Sequence, residues 1–396
     1  MEAVEQAYRD HWSRLLALLV TRLRRFDVAE DSLQDAFLAA ARTWPSDGVP
    51  DRPAAWLMTV AHRGALDRLR RENRDRDRLP LLITGAETAP PPDDPEEISD
   101  ERLRMLFACC HPALPPEGRA AMMLRFVGGL TTAEIARLFL VSESTMAARL
   151  TRAKHKVALA GIPLREPSAA DLPDRIDVLL KVVYLLFTEG YRATEGPLMR
   201  HRLAAEAIRL GYVLGELLPG EERIVALLAL MILQHSRRDA RTSSDGDLIL
   251  LPDQDRDRWH HDEIAQALDL LHFVRTPNEY ALQAWIAAEH ATSATPDWPR
   301  IARLYADLEI LMPSPVVRLN RAVAVAEAGS PEAAWALLEG LDSKLSANHL
   351  LPAVRGELLS RLGLLTEAAA AFRVALDQAR TKAERDHLRR RLAHLS

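Results

Sequence analysis

The last hundred residues of the chain repeat at a step of 34, and this repeat limits the fold of that segment more than any other feature does. Gly329 and Gly363 are separated by this step. Two series of apolar positions share it, namely Ile301, Trp335 and Ala369, and Leu304, Leu338 and Phe372. A period near 34 with small residues at helix contacts is typical of stacked helix pairs of the tetratricopeptide kind. We therefore predict helical repeats over residues 291–396.

The rest of the chain divides at two proline-containing segments. Residues 85–101 contain seven acidic residues, no basic residue and four prolines, which indicates an extended, solvated linker. Pro163 and Pro167 mark a second boundary. A length of 396 residues exceeds one ordinary core, and the abundance of Ala, Leu, Arg and Glu favours helix. We predict an all-α protein with five segments: 1–80, a linker at 81–101, 102–165, a helical extension at 172–290, and the repeats at 291–396.

The bulk composition excludes several classes of protein. A net charge of −5 argues against a general polyanion binder, so any nucleic-acid surface must be local. The two cysteines, Cys109 and Cys110, are adjacent and cannot form a disulfide framework, which fits a reducing compartment. The N-terminus does not resemble a signal peptide, and the most apolar run, 224–233, is too short to span a membrane. We expect a cytoplasmic protein with no membrane partner.

A polar stripe runs along the first predicted amphipathic helix, between Ala29 and Trp44. The inward face of this helix is apolar, with the residues Ala29, Leu33, Ala36, Phe37, Ala40 and Trp44. A second face repeats at i, i+3, i+4 and i+7 and forms an acidic stripe with the residues Asp31, Gln34, Asp35 and Leu38. Such a stripe is usually only solvated, but a leucine within it favours a docking surface.

The next predicted helix, 54–78, has a basic stripe. Its buried side is apolar, with Trp56, Leu57, Val60, Ala61, Leu66 and Leu69, and its exposed stripe contains Arg63, Asp67, Arg70, Arg71 and Arg74. Residues 62–78 hold seven arginines and four acids. Rows of guanidinium groups suit phosphate oxygens. An exposed helix cross-linked by Arg–Asp pairs is an equally good interpretation at this point.

Residues 114–157 predict a helix-turn-helix. Thr131 and Glu134 form a capping box that begins one helix, and Ser142 is a natural N-cap for a second helix that runs to about Val157. Met146, Leu150 and Ala153 give the second helix a buried side. Its outer face is polar and basic, with Ser142, Glu143, Ser144, Thr145, Arg149, Arg152, Lys154 and Lys156. A helix of this kind enters the major groove of DNA, and the alternative is an ordinary pair of antiparallel helices.

Together these segments resemble the extracytoplasmic-function sigma factors of bacterial RNA polymerase. The similarity to sigma region two lies in residues 29–38, 55–57 and 65–71. The similarity to sigma region four lies in residues 114–116, 124–125, 130–136 and 144–153. The rest of the chain, after the part similar to region four, resembles a subgroup with a C-terminal tetratricopeptide-like extension. This similarity lies in the sequence segments 184–191 and 253–256.

The resemblance implies a function and its partners. Asp31, Gln34, Asp35 and Leu38 would dock on core RNA polymerase. The loop 45–53 and the nearby arginines Arg63, Arg70 and Arg71 would capture the unpaired strand of the downstream promoter element. The helix that begins after Ser142 would read the upstream element in promoter DNA. Ala147 and Ala148 stand where this family often has Lys-Ser, which removes phosphate contacts from that helix. The repeats offer a surface to an unidentified protein or peptide, or to the chain's own N-terminal modules.

Two other functions remain open from the sequence. A one-component helix-turn-helix regulator with a sensing repeat domain would leave residues 29–78 without a role. An enzyme in 172–290 would need a set of catalytic side chains, and the sequence has no phosphate-binding loop or nucleophile elbow there. The acidic phrase at 253–257 lacks the glycine and the final glutamate of a calcium loop. We therefore predict a non-enzymatic protein with no cofactor and no metal site.

Overall fold

The computed structural model describes residues 2–75, 103–139, 141–159, 170–191, 201–243, 249–345, 349–379 and 382–395. This part of the chain is helical and contains no β-strand, as the sequence predicts. The predicted acidic linker at 81–101 lies outside the described residues, as does the side chain of Arg74. None of the helices in the described ranges is both long and apolar enough to cross a lipid bilayer.

The contacts divide the chain into two compact units, the first made of residues 1–190 and 212–219 and the second of 191–211 and 220–396. The helices of the first unit are α1 (Glu2–Leu23), α2 (Phe26–Asp47), α3 (Pro53–Asp75), α4 (103–109), α5 (Pro116–Met122), α6 (Thr132–Phe139), α7 (Glu143–Leu159) and α8 (Leu172–Tyr191). α8 belongs to the first unit through Gly190, so the division does not coincide with the predicted boundary at 172.

Helices α1, α2 and α3 form the first module around an aromatic core. The rings of Tyr8 and Trp12 stack with their centroids 4.7 Å apart, and Phe37 meets Tyr8 edge-on at 5.2 Å. All six residues predicted for the inward face of α2 are buried. The predicted buried side of α3 is confirmed at Leu57 and Ala61. The other residues predicted for that side are half-buried, namely Trp56, Val60, Leu66 and Leu69.

The second module confirms the predicted helix-turn-helix. Thr131 and Glu134 form the reciprocal capping box: the Thr131 amide donates to Glu134 Oε2 at 2.8 Å, and the Glu134 amide donates to Thr131 Oγ1 at 3.2 Å. The Thr145 amide donates to Ser142 Oγ at 3.1 Å, so Ser142 caps α7. α5 continues directly into a π-helical turn, Met123–Val127. Met146, Leu150 and Ala153 are buried, as expected for the packing face of α7.

The second unit contains the extension and the repeats. Its helices are the first half of α9 (His201–Leu217), then α10 (Glu222–His235), α11 (His261–Leu271), α12 (Glu279–Thr292), α13 (Trp298–Leu311), α14 (Pro315–Glu327), α15 (Pro331–Leu337), α16 (Leu350–Arg361), α17 (Leu365–Gln378) and α18 (Lys382–Ala393). The apolar run 224–233 lies in α10 and is buried except at Val225, which is half-buried.

The 34-residue step is visible in the backbone of the repeats. Gly329 and Gly363 both have positive φ, at +93° and +79°, just beyond the ends of α14 and α16. The residue after each glycine makes an equivalent hydrogen bond. The Ser330 amide donates to the Val325 carbonyl, and the Leu364 amide donates to the Leu359 carbonyl. This is the left-handed helix ending that glycine favours. Ion pairs also join Glu327 to Arg361 and Glu357 to Arg391, each across one repeat length.

Candidate nucleic-acid interface

The acidic stripe of α2 lies on the surface of the first unit. Asp31, Gln34, Asp35 and Leu38 are all exposed, and Leu38 is 56% exposed, an unusual position for a leucine. The helix places these side chains on one face because it buries its other face against α1 and α3. The stripe is thus available to a partner along much of its length.

Arg68 of α3 organises the acidic stripe. Its Nη1 donates to Asp31 Oδ2 at 2.8 Å and its Nη2 donates to Asp35 Oδ2 at 2.6 Å, so one guanidinium group bridges two carboxylates that are one turn apart. The two carboxylates remain more than half exposed. Sequence reasoning missed Arg68, although it lies among the arginines of α3. Its role depends on the packing of α3 against α2.

The remaining arginines of α3 are distributed differently. Arg63, Arg70 and Arg71 have exposed side chains, and Arg70 lies 3.5 Å from Asp67 on the same helix. Burial, and secondarily the charge of Arg22, lower the pKa of His62, so its imidazole is neutral at pH 7. The positive charge of this face therefore comes from arginine alone.

The predicted reading face of α7 is largely exposed. Ser142, Glu143, Ser144 and Thr145 are exposed at its beginning, and Arg152 and Lys156 are exposed further along. Arg149 is half-buried and its guanidinium carbon lies 5.9 Å from the centre of the Phe139 ring. Lys154 differs from the others because its ammonium group points toward the first module.

Lys154 takes part in a buried ion triad that sequence reasoning missed. Arg125 Nε donates to Glu30 Oε1 at 2.5 Å, and Lys154 Nζ donates to Glu30 Oε2 at 2.9 Å. The side chains of Glu30 and Arg125 are only 8% and 3% exposed. Arg125 Nη1 also donates to the Leu130 carbonyl at 2.7 Å. The triad joins α2, the π-helical turn and α7. The only sequence signal was a glutamate next to Ala29 on the inward face of α2.

Aromatic contacts surround the triad. The guanidinium carbon of Arg125 lies 4.9 Å from the centre of the Trp12 ring, and Phe26 meets Phe126 edge-on at 5.0 Å. Gly129, with φ +74°, passes Trp12 so closely that an added Cβ would lie 3.3 Å from its ring. The helix-turn-helix and the three-helix module are therefore packed together in the first unit.

Three known families match consecutive parts of the chain. The family described as Sigma-70 region 2 matches residues 7–75, and the family described as Sigma-70, region 4 matches residues 104–157. A family of unknown function, DUF6596, matches residues 175–274. The first two matches coincide with the acidic and basic stripes and with the helix-turn-helix.

Complete proteins are also similar to this chain. An uncharacterized protein of Rhizobium meliloti is 41% identical over 405 aligned positions, which cover 96% of this chain and 93% of that protein. The ECF RNA polymerase sigma factor SigK of Mycobacterium tuberculosis is 31% identical over 154 positions, or 38% of this chain and 81% of that protein. SigK of Mycobacterium ulcerans is also 31% identical over 154 positions, covering 38% of this chain and 80% of that protein. No solved structure matches.

The buried triad predicts unequal effects of two substitutions on stability. Arg125→Met leaves the Glu30 carboxylate buried with one partner, and we expect it to lower the free energy of unfolding by about 3–5 kcal/mol. Lys154→Met should cost less, because Lys154 is 21% exposed, whereas Arg125 is 3% exposed and also donates to the Leu130 carbonyl. Urea denaturation of the two variants measures the difference. Equal losses would contradict the assignment of Arg125 as the main partner.

Proposed function

This chain belongs to the extracytoplasmic-function sigma factors of RNA polymerase, and we propose that three of its surfaces divide the work of promoter recognition. A sigma factor binds core RNA polymerase and directs it to promoter DNA. The polymerase performs the chemistry, so we assign no catalytic residue to this chain. Its place of action is then the cytoplasm, where polymerase and promoter DNA are found.

The observation that carries this proposal is the order of two modules that match sigma regions two and four, each with a charged face on its surface. The one-component regulator considered from the sequence receives no support. It needs only the helix-turn-helix, whereas residues 7–75 match a sigma region of their own.

The first proposed surface binds core polymerase. It consists of Asp31, Gln34, Asp35 and Leu38. The exposure of Leu38 supports this assignment, because an isolated leucine among carboxylates suits a partner that offers both an apolar pocket and basic groups. Arg68 would hold Asp31 and Asp35 in one orientation before the partner arrives. Preorganisation of this kind reduces the entropy lost on binding.

The second and third proposed surfaces bind DNA. Arg63, Arg70, Arg71 and Arg74 would contact the backbone of the unpaired downstream strand, together with the loop 48–52. This loop is shorter than the predicted loop 45–53, because α2 continues to Asp47 and α3 begins at Pro53. Ser142, Glu143, Ser144, Thr145, Arg149, Arg152 and Lys156 would face the upstream element. Lys154, which the sequence also predicts there, is left out because its ammonium group donates to Glu30 and is directed inward. The exposed beginning of α7 supports the second assignment, because helix-turn-helix proteins place the N-terminal residues of this helix against base edges.

The polymerase-docking surface can be tested with a double substitution. Asp35→Arg combined with Leu38→Glu should abolish binding to core polymerase without unfolding the chain, because both side chains are exposed. Asp10→Arg combined with Thr59→Glu is a matched control, since it makes the same charge changes at exposed positions outside the stripe. Co-purification with core polymerase is the measurement. Retention by the first variant at the level of the control would show that the assigned face is wrong.

The reading helix predicts a loss of DNA affinity. Arg149→Ala and Arg152→Ala should each weaken upstream-element binding by about 1–3 kcal/mol if the side chains reach bases. A pure phosphate contact should instead lower the salt slope by about one unit. Arg389→Ala is the control, because Arg389 is 62% exposed in α18, outside the module. Unchanged promoter binding in both test variants would remove α7 from the proposed interface.

We further propose that the helical extension and the repeats together act in cis on the two sigma modules. An attached domain acts at high effective concentration, so weak contacts suffice. The large buried apolar segments, such as 224–233, suit permanent packing, and we therefore expect the extension to support activity. A chain ending at Pro219, which retains every residue of the first unit, should transcribe less than the full chain at matched folded concentration. Equal transcription, unchanged when the extension is added in trans, would contradict this role.

A further inference from the structure

Two arginines of the second unit lie against one buried tryptophan. Arg237 follows the end of α10, and Arg256 lies in a short 3₁₀ turn before α11. The guanidinium carbon of Arg256 is 4.2 Å from the centre of the Trp259 ring, and that of Arg237 is 5.8 Å from it. Trp259 is only 4% exposed, whereas both arginines are half-buried. Two positive charges are therefore held close together at the edge of the core.

Each of these arginines uses only one of its nitrogens within the fold. Arg237 Nη2 donates to the Tyr191 hydroxyl at 3.0 Å. Arg256 Nη2 donates to three carbonyls at the end of α12. Within the described residues, Nε and Nη1 of both arginines have no acceptor, and the buried indole Nε1 of Trp259 has none either. Several donors at this place are thus available to an acceptor from outside the chain.

The carboxylates of the neighbouring segments are engaged elsewhere or lie on the surface. Glu263 pairs with Arg238 at 2.7 Å, and Asp253 pairs with Arg390 at 3.0 Å. The two aspartates next to Arg256 in the sequence are exposed. In the part of the chain that the structure describes, no ion pair neutralises either of the two arginines that lie against the tryptophan. The place therefore has an excess of positive charge.

A neighbouring histidine responds to this charge. Burial, and then the charges of Arg237 and Arg256, lower the pKa of His290 to about 4, so its imidazole is neutral at pH 7. Burial and the charge of Arg237 also lower the pKa of Arg256. Like charges in partly desolvated surroundings are unfavourable until an opposite charge joins them. An anion supplies that charge, and its oxygens supply acceptors for the open donors.

We propose that Arg237, Arg256 and Trp259 form a binding site for a phosphate group, either free or carried by a small molecule. A phosphate group carries a charge of about −1.5 to −2 at pH 7, which matches two guanidinium groups better than a single carboxylate does. Its oxygens accept several hydrogen bonds, and guanidinium groups bind them in pairs. The arginines are half-buried, so a small ligand suits the site better than the backbone of a DNA duplex.

Tyr191 and Arg241 support the site from behind. The guanidinium carbon of Arg241 lies 3.4 Å from the centre of the Tyr191 ring, and Arg241 Nη1 donates to the Tyr191 carbonyl at 2.8 Å. These contacts fix the ring whose hydroxyl group accepts from Arg237, which orients that guanidinium before a ligand arrives. All residues of the site belong to the second unit, so the proposal is independent of the surfaces assigned to the sigma modules.

Titration calorimetry on the full-length protein tests the site with inorganic phosphate and with glycerol phosphate as probes, in a chloride buffer. Arg237→Met should weaken the binding of both probes roughly tenfold or more, because it removes charge-assisted hydrogen bonds. Arg258→Met is the matched control, since it makes the same change at an exposed position two residues from Arg256, and it should bind as the unmodified protein does. Acetate should bind at least about tenfold more weakly than phosphate, because it carries less charge.

His290 reports the position of the bound anion independently of affinity. Saturating phosphate should raise the pKa of His290 above its value of about 4, because the anion offsets the charges of Arg237 and Arg256. Arg237→Met should raise this pKa without phosphate, since it removes one of those charges. Nuclear magnetic resonance titration of the imidazole protons measures both effects, and His290→Gln identifies the signal. An unchanged pKa of His290 at saturating phosphate would place the anion elsewhere and overturn the site.

Trp259→Phe provides a second variant if Arg237→Met does not fold, as judged by circular dichroism. It keeps an aromatic ring and removes only the N–H donor, and it should also weaken phosphate binding. Unmodified affinity in whichever of the two variants folds overturns the site, as does an equal loss of affinity in Arg258→Met.

The two probes separate the possible sources of the phosphate group. Tighter binding of glycerol phosphate indicates a phosphorylated small molecule, and tighter binding of inorganic phosphate indicates the free ion. Both results support the site. If the unmodified protein binds neither probe, the proposal is wrong. A duplex DNA that binds through Arg237 while both probes fail would likewise overturn it, because the site would then face a nucleic acid.

Discussion

The buried carboxylate of Glu30 is the interaction on which the arrangement of the first unit depends. A charge removed from water must be paired and hydrogen-bonded, or the folded state loses several kcal/mol. Arg125 meets this requirement from the π-helical turn, and Lys154 meets it from α7. The backbone at residues 129 and 130 helps to hold Arg125 in place. The left-handed Gly129 turns the chain past Trp12, and the Leu130 carbonyl that follows accepts a second bond from Arg125.

The charges of the first module show how one helix can combine two kinds of arginine. Arg68 is engaged with carboxylates of α2, whereas Arg63 and Arg71 project from the surface. The two sequence interpretations of α3, a phosphate-binding face and a helix cross-linked by ion pairs, therefore apply to different residues of the same helix. A net charge of −5 over the chain is compatible with both, because the basic groups are concentrated on small areas.

The second unit uses charge to keep its repeats in register. Residues 34 positions apart lie on every second helix, at equivalent places in successive repeats, and Glu327 of α14 pairs with Arg361 of α16 as Glu357 of α16 pairs with Arg391 of α18. The segment 253–257, which contains three aspartates and Arg256, also has a structural role. Arg256 donates to the carbonyls of His290, Ala291 and Ser293 at the end of α12, which satisfies groups that a helix end leaves without partners. Asp253 pairs with Arg390 of α18.

The sequence by itself determined the helical class, the caps at Thr131 and Ser142, the buried face of α2 and the 34-residue repeat. These features arise from periodicity and from hydrogen bonds between residues a few positions apart, so they can be recognised in the amino-acid sequence alone. Only the tertiary structure decided that Glu30 is buried, that Arg68 bridges Asp31 and Asp35, and that Lys154 faces inward. Glu30 and Lys154 are separated by 124 positions. Such pairs depend on how modules pack, and an exposed and a buried lysine look the same in a sequence, because the partner that decides between them is brought near only by folding.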